Sequence, residues 1–224
     1  MLYGIVHEHI RRPDPAVIER FRRHDTAKVG DAMAAHGIMD HRIKPIRLGM
    51  RLCGPAVTVL TRPGDALFIQ KVADVAQPGD VIVVDAGGYE EAAIIGERIT
   101  YYMHSRGIQG IVVDGAVRDT AGIAEIGFPT FAKAVTPRIY GTVGPGAINV
   151  PIQCGGIPVI PGDLILGDDD GVVAVPCDDV DRVLDLADKH LAGELERLER
   201  VKRGEKLSVI NNCDAKIVRW RDDD

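Results

Sequence analysis

Residues 85–119, DAGGYEEAAIIGERITYYMHSRGIQGIVVDGAVRD, constrain the fold more than any other stretch of the chain. An apolar run closes on Gly87-Gly88 and is followed by a loop and then by a helical segment from Gly96 to Arg106. Next comes Gly107-Ile108-Gln109-Gly110-Ile111-Val112-Val113-Asp114-Gly115, a short apolar run between glycines, which reads as a buried strand. Strand, glycine turn, helix and strand form the unit of an α/β sheet, which brings the helix start and the end of the second strand to one crevice. Glu97 would enter that crevice from the first helical turn, and Arg118-Asp119 from the strand end. Carboxylates suit a hard cation, whereas a guanidinium and free helix-start N–H groups suit a small anionic oxoacid. Taken alone, an Arg-Asp pair after a strand is more often a surface ion pair or a helix cap. Gly87-Gly88 and Gly96, which let a ligand approach the backbone, strengthen the reading as a site.

The 224 residues suffice for one well-buried α/β domain, and 46% hydrophobic with 27% charged residues is ordinary for a globular chain. A formal net charge of −6 argues against nucleic acid as the main partner. No apolar run approaches a membrane span, and MLYGIVHEHIRRPD lacks the apolar core of a secretion signal, so the expectation is a cytoplasmic protein without a membrane partner. Cys53, Cys154, Cys177 and Cys213 form no C-x-x-C pair and read as packed residues. The histidines show no metal-ligand spacing, and His7, His9 and His190 read as solvated.

Asp14-Pro15 predicts the start of a helix over 14–24, and Thr26 to His36 a second helix capped by Thr26 and stopped by Gly37, with Asp31 in its middle. Arg51 to Leu60 is strand-like. Pro63-Gly64-Asp65, Pro78-Gly79-Asp80 and Pro161-Gly162-Asp163 each read as a turn that starts a strand (ALFI, VIVV, LILG). Asp168-Asp169-Asp170-Gly171 offers three carboxylates, but its flanking strands make it a hairpin turn before it is a metal site. Residues 178–203 form a long helix with an apolar stripe of Val180, Val183, Leu184, Leu186, Leu191, Leu195 and Leu198, placed to pack partly on its own domain and partly on a neighbour. The polar tail, 208–224 with Trp220, is expected to be peripheral to a single domain, 1–207.

From about Tyr3 to Gly204, the blocks AVTVLTRPGDALFI, QPGDVIVVDAGG, the Gly96-Glu97 helix start, DGAVRD, NVPIQCGG and PGDLILGDDDGVVAVP resemble the RraA-like proteins. Within them the resemblance is to the 4-hydroxy-4-methyl-2-oxoglutarate/4-carboxy-4-hydroxy-2-oxoadipate aldolases. Their signature, an acid, twenty residues and then Arg-Asp, is here Glu97, residues 98–117 and Arg118-Asp119. The resemblance implies a swivelling α/β/β/α sandwich with N-terminal helices and a long C-terminal helix, forming homotrimers or hexamers with sites at subunit contacts. It implies that Asp119 binds Mg²⁺ or Mn²⁺ directly, that Arg118 holds and polarises the oxoacid beside Gly96, Glu97 and Arg98, and that Glu97 orders water on the metal. Glu97 stands where the family usually has Asp. Two further acids would act through water from the neighbouring subunit: Asp31, where Glu is frequent, and Glu194, with Glu196 as a competing alignment. The implied activity is retro-aldol cleavage that releases pyruvate, with oxaloacetate decarboxylation alongside it. A second class, a non-catalytic regulator of a ribonuclease or helicase, shares the sandwich but tends to lack the terminal helices that this chain has. A related lyase acting on another oxoacid is a third possibility, while a methyltransferase lacks its methyl-donor glycine loop here.

Overall fold

The computed structural model of the protein describes residues 4–139 and 141–217. In chain order the elements are β1 (Gly4–Val6), α1 (Pro15–Phe21), α2 (Thr26–Ala32), β2 (Lys44–Pro45), β3 (Leu52–Thr61), α3 (Leu67–Val75), β4 (Val81–Ala93), α4 (Glu97–Ser105) and β5 (Gly110–Val117). There follow α5 (Thr120–Ile126), β6 (Thr130–Val135), β7 (Gly146–Ile148), β8 (Ile152–Cys154), β9 (Ile157–Val159), β10 (Leu164–Asp168), β11 (Gly171–Val175), α6 (Val180–Lys202) and α7 (Leu207–Ile210).

Strands β3, β4, β5 and β6 run parallel at the centre of a sheet ordered β1-β7-β3-β4-β5-β6-β2. Strand β3 serves two layers. Its first half pairs antiparallel with β10 (Leu52↔Gly167, Pro55↔Leu164), and its second half pairs parallel with β4 from Ala56 onward. Three apolar cores separate four layers. The first (Val57, Ile69, Val84, Met103, Val113, Ile123) lies between the parallel sheet and α3, α4 and α5. The second (Val83, Val112, Phe131, Cys154, Val159, Ile165) lies between the β layers. The third (Phe21, Val29, Leu166, Val173, Val183, Leu184) seats α1, α2 and α6 on β10 and β11. This is the expected α/β/β/α sandwich with N-terminal helices and a long C-terminal helix. The fully buried Val, Ile and Phe side chains contribute about 1.5–3 kcal/mol each to holding the layers together.

The three Pro-Gly-Asp turns form as read, with left-handed glycines (φ +72°, +95° and +96°), and two of them start strands. The first does not: ALFI opens helix α3, because Ile69, Val72 and Ala73 repeat at helical spacing and are buried together. Asp65, itself buried, accepts the Leu67 amide at that helix start (2.9 Å) and the Val143 amide (2.7 Å). The stretch after Gly88, read as a loop, is instead the continuation of β4, with register shifts between Asp85 and Tyr89 and between Tyr89 and Ala93. Helix α2 ends at Ala32, short of His36, since Ala34 and Ala35 turn left-handed (φ 52° and 64°). Thr26 is its first helical residue and not its cap.

Asp168-Gly171 closes the β10–β11 hairpin as expected. Helix α6 buries Val180, Val183, Leu184 and Ala187 but leaves Leu195 and Leu198 exposed, so its apolar stripe is covered by its own domain only in the first half. Helix α7 spans the boundary expected between domain and tail; Trp220 lies outside the described residues. The four cysteines are free, with Cys53 and Cys154 buried; burial pushes the Cys53 thiol up to about 11. Among the described residues, no helix is long and apolar enough to cross a membrane.

Candidate functional site

Strand β5 delivers Val117 into the core and Arg118 to the surface, where the Arg118 amide donates to the carbonyl of Ile95 (3.1 Å). That bond ties the end of β5 to the start of α4. Asp119 then takes a left-handed backbone (φ 56°, ψ 37°) and heads α5 without capping it by its side chain. Asp tolerates this conformation better than most residues, at a cost of about 1 kcal/mol relative to an ordinary one. The turn sends the carboxylate back across the crevice: Oδ2 accepts the Glu97 amide at 3.3 Å and lies 3.3 Å from Arg118 Nε. Both side chains of that ion pair are more than a third exposed, so it is worth at most about 1 kcal/mol.

Two glycines make room for this arrangement. Gly96 has ordinary extended backbone, yet a Cβ there would stand 2.2 Å from Asp119 Oδ2. Gly122, in the first turn of α5, faces Glu97, and a Cβ there would stand 2.5 Å from the Glu97 carboxylate. Among the described residues, neither the Glu97 carboxylate nor Asp119 Oδ1 accepts a hydrogen bond, and Arg118 donates no other side-chain bond. The crevice therefore offers two uncommitted hard-oxygen groups, a guanidinium fork and the start of α4.

No group of three or more His, Cys, Asp or Glu arranged to hold an ion occurs among the described residues. The donors present suit a cation that keeps most of its water, as Mg²⁺ or Mn²⁺ does, and not a zinc ion enclosed by four protein ligands.

The sequence reading is met unevenly. Glu97, Arg118, Asp119 and Gly96 converge. Arg98 follows Glu97, but its side chain lines a hollow of about 540 Å³ with Gln70, Ile99 and Tyr102. Asp31 on α2 and Glu194 on α6 lie among the helices that cover the β10–β11 layer, and among the described residues no ion pair links them to Arg118, Asp119 or Glu97. Glu194, rather than Glu196, turns to α2, where it accepts from Lys28 Nζ at 2.5 Å.

Two features escaped the sequence reading. Gly122 is one, although a glycine inside a short helix three residues after Asp119 was a visible signal. The other is a polar cluster between neighbouring strands β5 and β6. There Lys133 Nζ donates to Asp114 (2.9 Å) and lies 3.6 Å from Asp40, while Arg42 grips Asp40 (2.6 Å). Burial alone would lower the Lys133 pKa, but the bond and charge of Asp114 outweigh it and raise the value, so the amine stays protonated. Hydrogen bonds from the Arg42 side chain and backbone hold the Asp40 carboxyl well below the usual carboxylate range.

A family model described as RraA-like, Aldolase/RraA, matches residues 26–174. A protein of Halalkalibacterium halodurans, provisionally named 4-hydroxy-4-methyl-2-oxoglutarate aldolase, is 41% identical over 180 residues, covering 80% of this chain and 86% of that one. A protein of Thermus thermophilus named 4-hydroxy-4-methyl-2-oxoglutarate aldolase is 35% identical over 112 residues, 50% of this chain and 68% of the other. Among solved structures, Streptomyces coelicolor RraAS2, described as an unusual member of the RNase ES inhibitor RraA protein family, superposes with a TM-score of 0.75 at 29% identity, covering 85% of this chain and all of that one.

Proposed function

Because this chain belongs to the RraA-like, Aldolase/RraA family, we propose that it is a divalent-metal-dependent carbon–carbon lyase that cleaves 4-hydroxy-2-oxo di- and tricarboxylic acids to pyruvate and a second oxoacid. One observation carries the reading: the left-handed turn at Asp119 sets its carboxylate beside Arg118 and the Glu97 amide, in a space that a Cβ at position 96 would invade. Asp119 Oδ1 would hold the cation directly, and Glu97 would act on it through water. A bound Mg²⁺ or Mn²⁺ supplies Lewis-acid polarisation of the 2-oxo group.

The residues of the chain provide the rest. The free fork of Arg118 binds the C1 carboxylate and the 2-oxo oxygen together, and follows the charge that grows on that oxygen as the C3–C4 bond breaks. Glu97 orders the water that takes the C4 hydroxyl proton; C4 becomes the new carbonyl and the bonding pair passes into the enolate of pyruvate. Protonation at C3 completes pyruvate. The same enolate arises when oxaloacetate loses carbon dioxide, so decarboxylation is proposed as a companion activity. A Schiff-base route is disfavoured, since Lys133 is held protonated by Asp114 and Lys71 is an exposed partner of Asp74.

The test is pyruvate release from 4-carboxy-4-hydroxy-2-oxoadipate, 4-hydroxy-4-methyl-2-oxoglutarate and oxaloacetate, with and without Mg²⁺. The expected result is metal-dependent cleavage abolished by EDTA. Full activity in EDTA, or borohydride trapping of substrate on Lys133 or Lys71, would refute the metal mechanism. The likeness to RraAS2 keeps a second reading open, a regulator that binds a ribonuclease. Inhibition of a ribonuclease by a protein inactive on all three oxoacids would decide for it.

A further inference from the structure

Lys28, on α2, pairs with Glu194, one of the two acids that the family resemblance implies for a neighbouring subunit's site, and lies one turn from the other, Asp31. The buried Asp168 carboxylate accepts both the Thr26 amide (2.8 Å) and the Thr26 hydroxyl (2.6 Å), which fixes the start of α2 against the β10–β11 hairpin. Val29 and Ala32 then enter the core shared with Val183, Leu184 and Ala187 of α6. That packing leaves Lys28 and Asp31, one turn apart, on another face of α2. Glu194 stands seven residues beyond Ala187, about 10 Å further along α6, where the helix has left its own core. It is anchored there by Lys28: the Nζ–Oε2 distance is 2.5 Å, and the lysine side chain is only 20% exposed while that of Glu194 is 52% exposed. A half-exposed Glu on a helix surface samples several rotamers, and holding one of them costs side-chain entropy. An ammonium carried on a fixed helix and paired at that distance removes much of that freedom.

We infer that Lys28 is a positioning residue: its ammonium holds the Glu194 carboxylate, and with it the α2–α6 corner that carries Asp31, in the orientation presented to the metal site of the adjoining subunit. The inference rests on the proposed metal-dependent reaction and on the shared site that the family resemblance implies. It assigns Lys28 no contact with substrate or metal.

Two opposite effects make the role measurable. A nearby positive charge repels a divalent cation, so removing Lys28 would tighten metal binding if charge alone mattered. If Lys28 acts by orienting Glu194, removing it weakens metal binding instead. Mn²⁺ affinity is read by water-proton relaxation without substrate, together with kcat and KM for the oxoacid, on the assembled wild type, Lys28→Met, Lys28→Arg, Glu194→Gln and the double variant Lys28→Met/Glu194→Gln. The expected result is that Lys28→Met and Glu194→Gln each weaken Mn²⁺ binding by about tenfold, the scale of one charge-assisted hydrogen bond. Lys28→Arg should restore wild-type affinity, and the double variant should be no worse than Glu194→Gln alone. Unchanged or tighter binding in Lys28→Met beside a weakened Glu194→Gln overturns the positioning role and leaves the shared site standing. Wild-type binding and turnover in Glu194→Gln overturns the shared site and the inference with it. Should Lys28→Met fail to assemble, Lys28→Arg and Glu194→Gln decide: full affinity in the first with loss in the second supports positioning, and loss in both overturns it.

Discussion

Gly122 separates stability from activity more cleanly than any residue with a reactive group. Its backbone is helical, so alanine there favours α5 by about 0.5–1 kcal/mol, while the added methyl meets the mobile end of Glu97. Gly122→Ala should therefore keep or slightly raise Tm and still lose activity, a split that thermal unfolding and pyruvate release measured on one preparation would reveal; unchanged turnover would show that Glu97 can stand elsewhere. Arg118→Lys keeps the charge and loses the planar fork. A fall in kcat of about 10²-fold or more is expected, the scale for removing a preorganised donor, and near-normal turnover would take Arg118 out of the mechanism. The convergence of Glu97, Arg118 and Asp119 was legible in the sequence because strand–turn–helix spacing brings chain-distant residues to one crevice. The clearance that Gly122 gives Glu97 was not, since it depends on how two helices face each other. Nor was the course of the Arg98 side chain, which a helix start alone does not fix.

Asp168 illustrates how an element can be read correctly and its purpose missed. The hairpin turn was evident, but the same carboxylate also accepts two bonds from Thr26, 142 residues earlier in the chain. Asp168→Ala would leave those buried donors unpaired and should cost about 2–4 kcal/mol, seen as a lower denaturation midpoint at unchanged m-value; a loss under about 0.5 kcal/mol would mean that α2 is held by its apolar face alone. The loop between α2 and β2 supplies a second test. Because Asp40 titrates lower in the folded protein than in the unfolded chain, its contribution is complete above the unfolded value near 4 and is lost as the pH falls through the lower folded value. The acid-side decline in Tm should thus be shallower in Asp40→Asn, from a lower starting point at neutral pH; an identical pH profile would exclude Asp40 as a source of acid sensitivity. At this scale the sequence erred on α3. The Pro-Gly-Asp signal is common to strand and helix starts, and only the spacing of Ile69, Val72 and Ala73 distinguishes them.

For the whole molecule, the four layers were legible from the family blocks and the periodicities, whereas a shared site between chains was implied by the resemblance alone, because surface acids such as Asp31 and Glu194 look alike whether they face water or a neighbour. A mixed assembly tests that level. Chains carrying Asp119→Ala and chains carrying Glu194→Ala, each inactive alone, should recover part of the activity after verified subunit exchange, since one interface then unites an intact Asp119 with an intact Glu194. Exchange without recovery would confine the site to one chain. The double service of β3 has a consequence during synthesis. Its second half can pair as soon as β4 leaves the ribosome, but its first half must wait for β10, roughly 75 residues later, an interval on the order of ten seconds at ordinary rates of translation. Throughout that interval Leu52 and Cys53, destined for burial, lie on an open strand edge. The nascent chain is then most vulnerable to sticking to its neighbours, and slower or chaperone-assisted expression should act on that window.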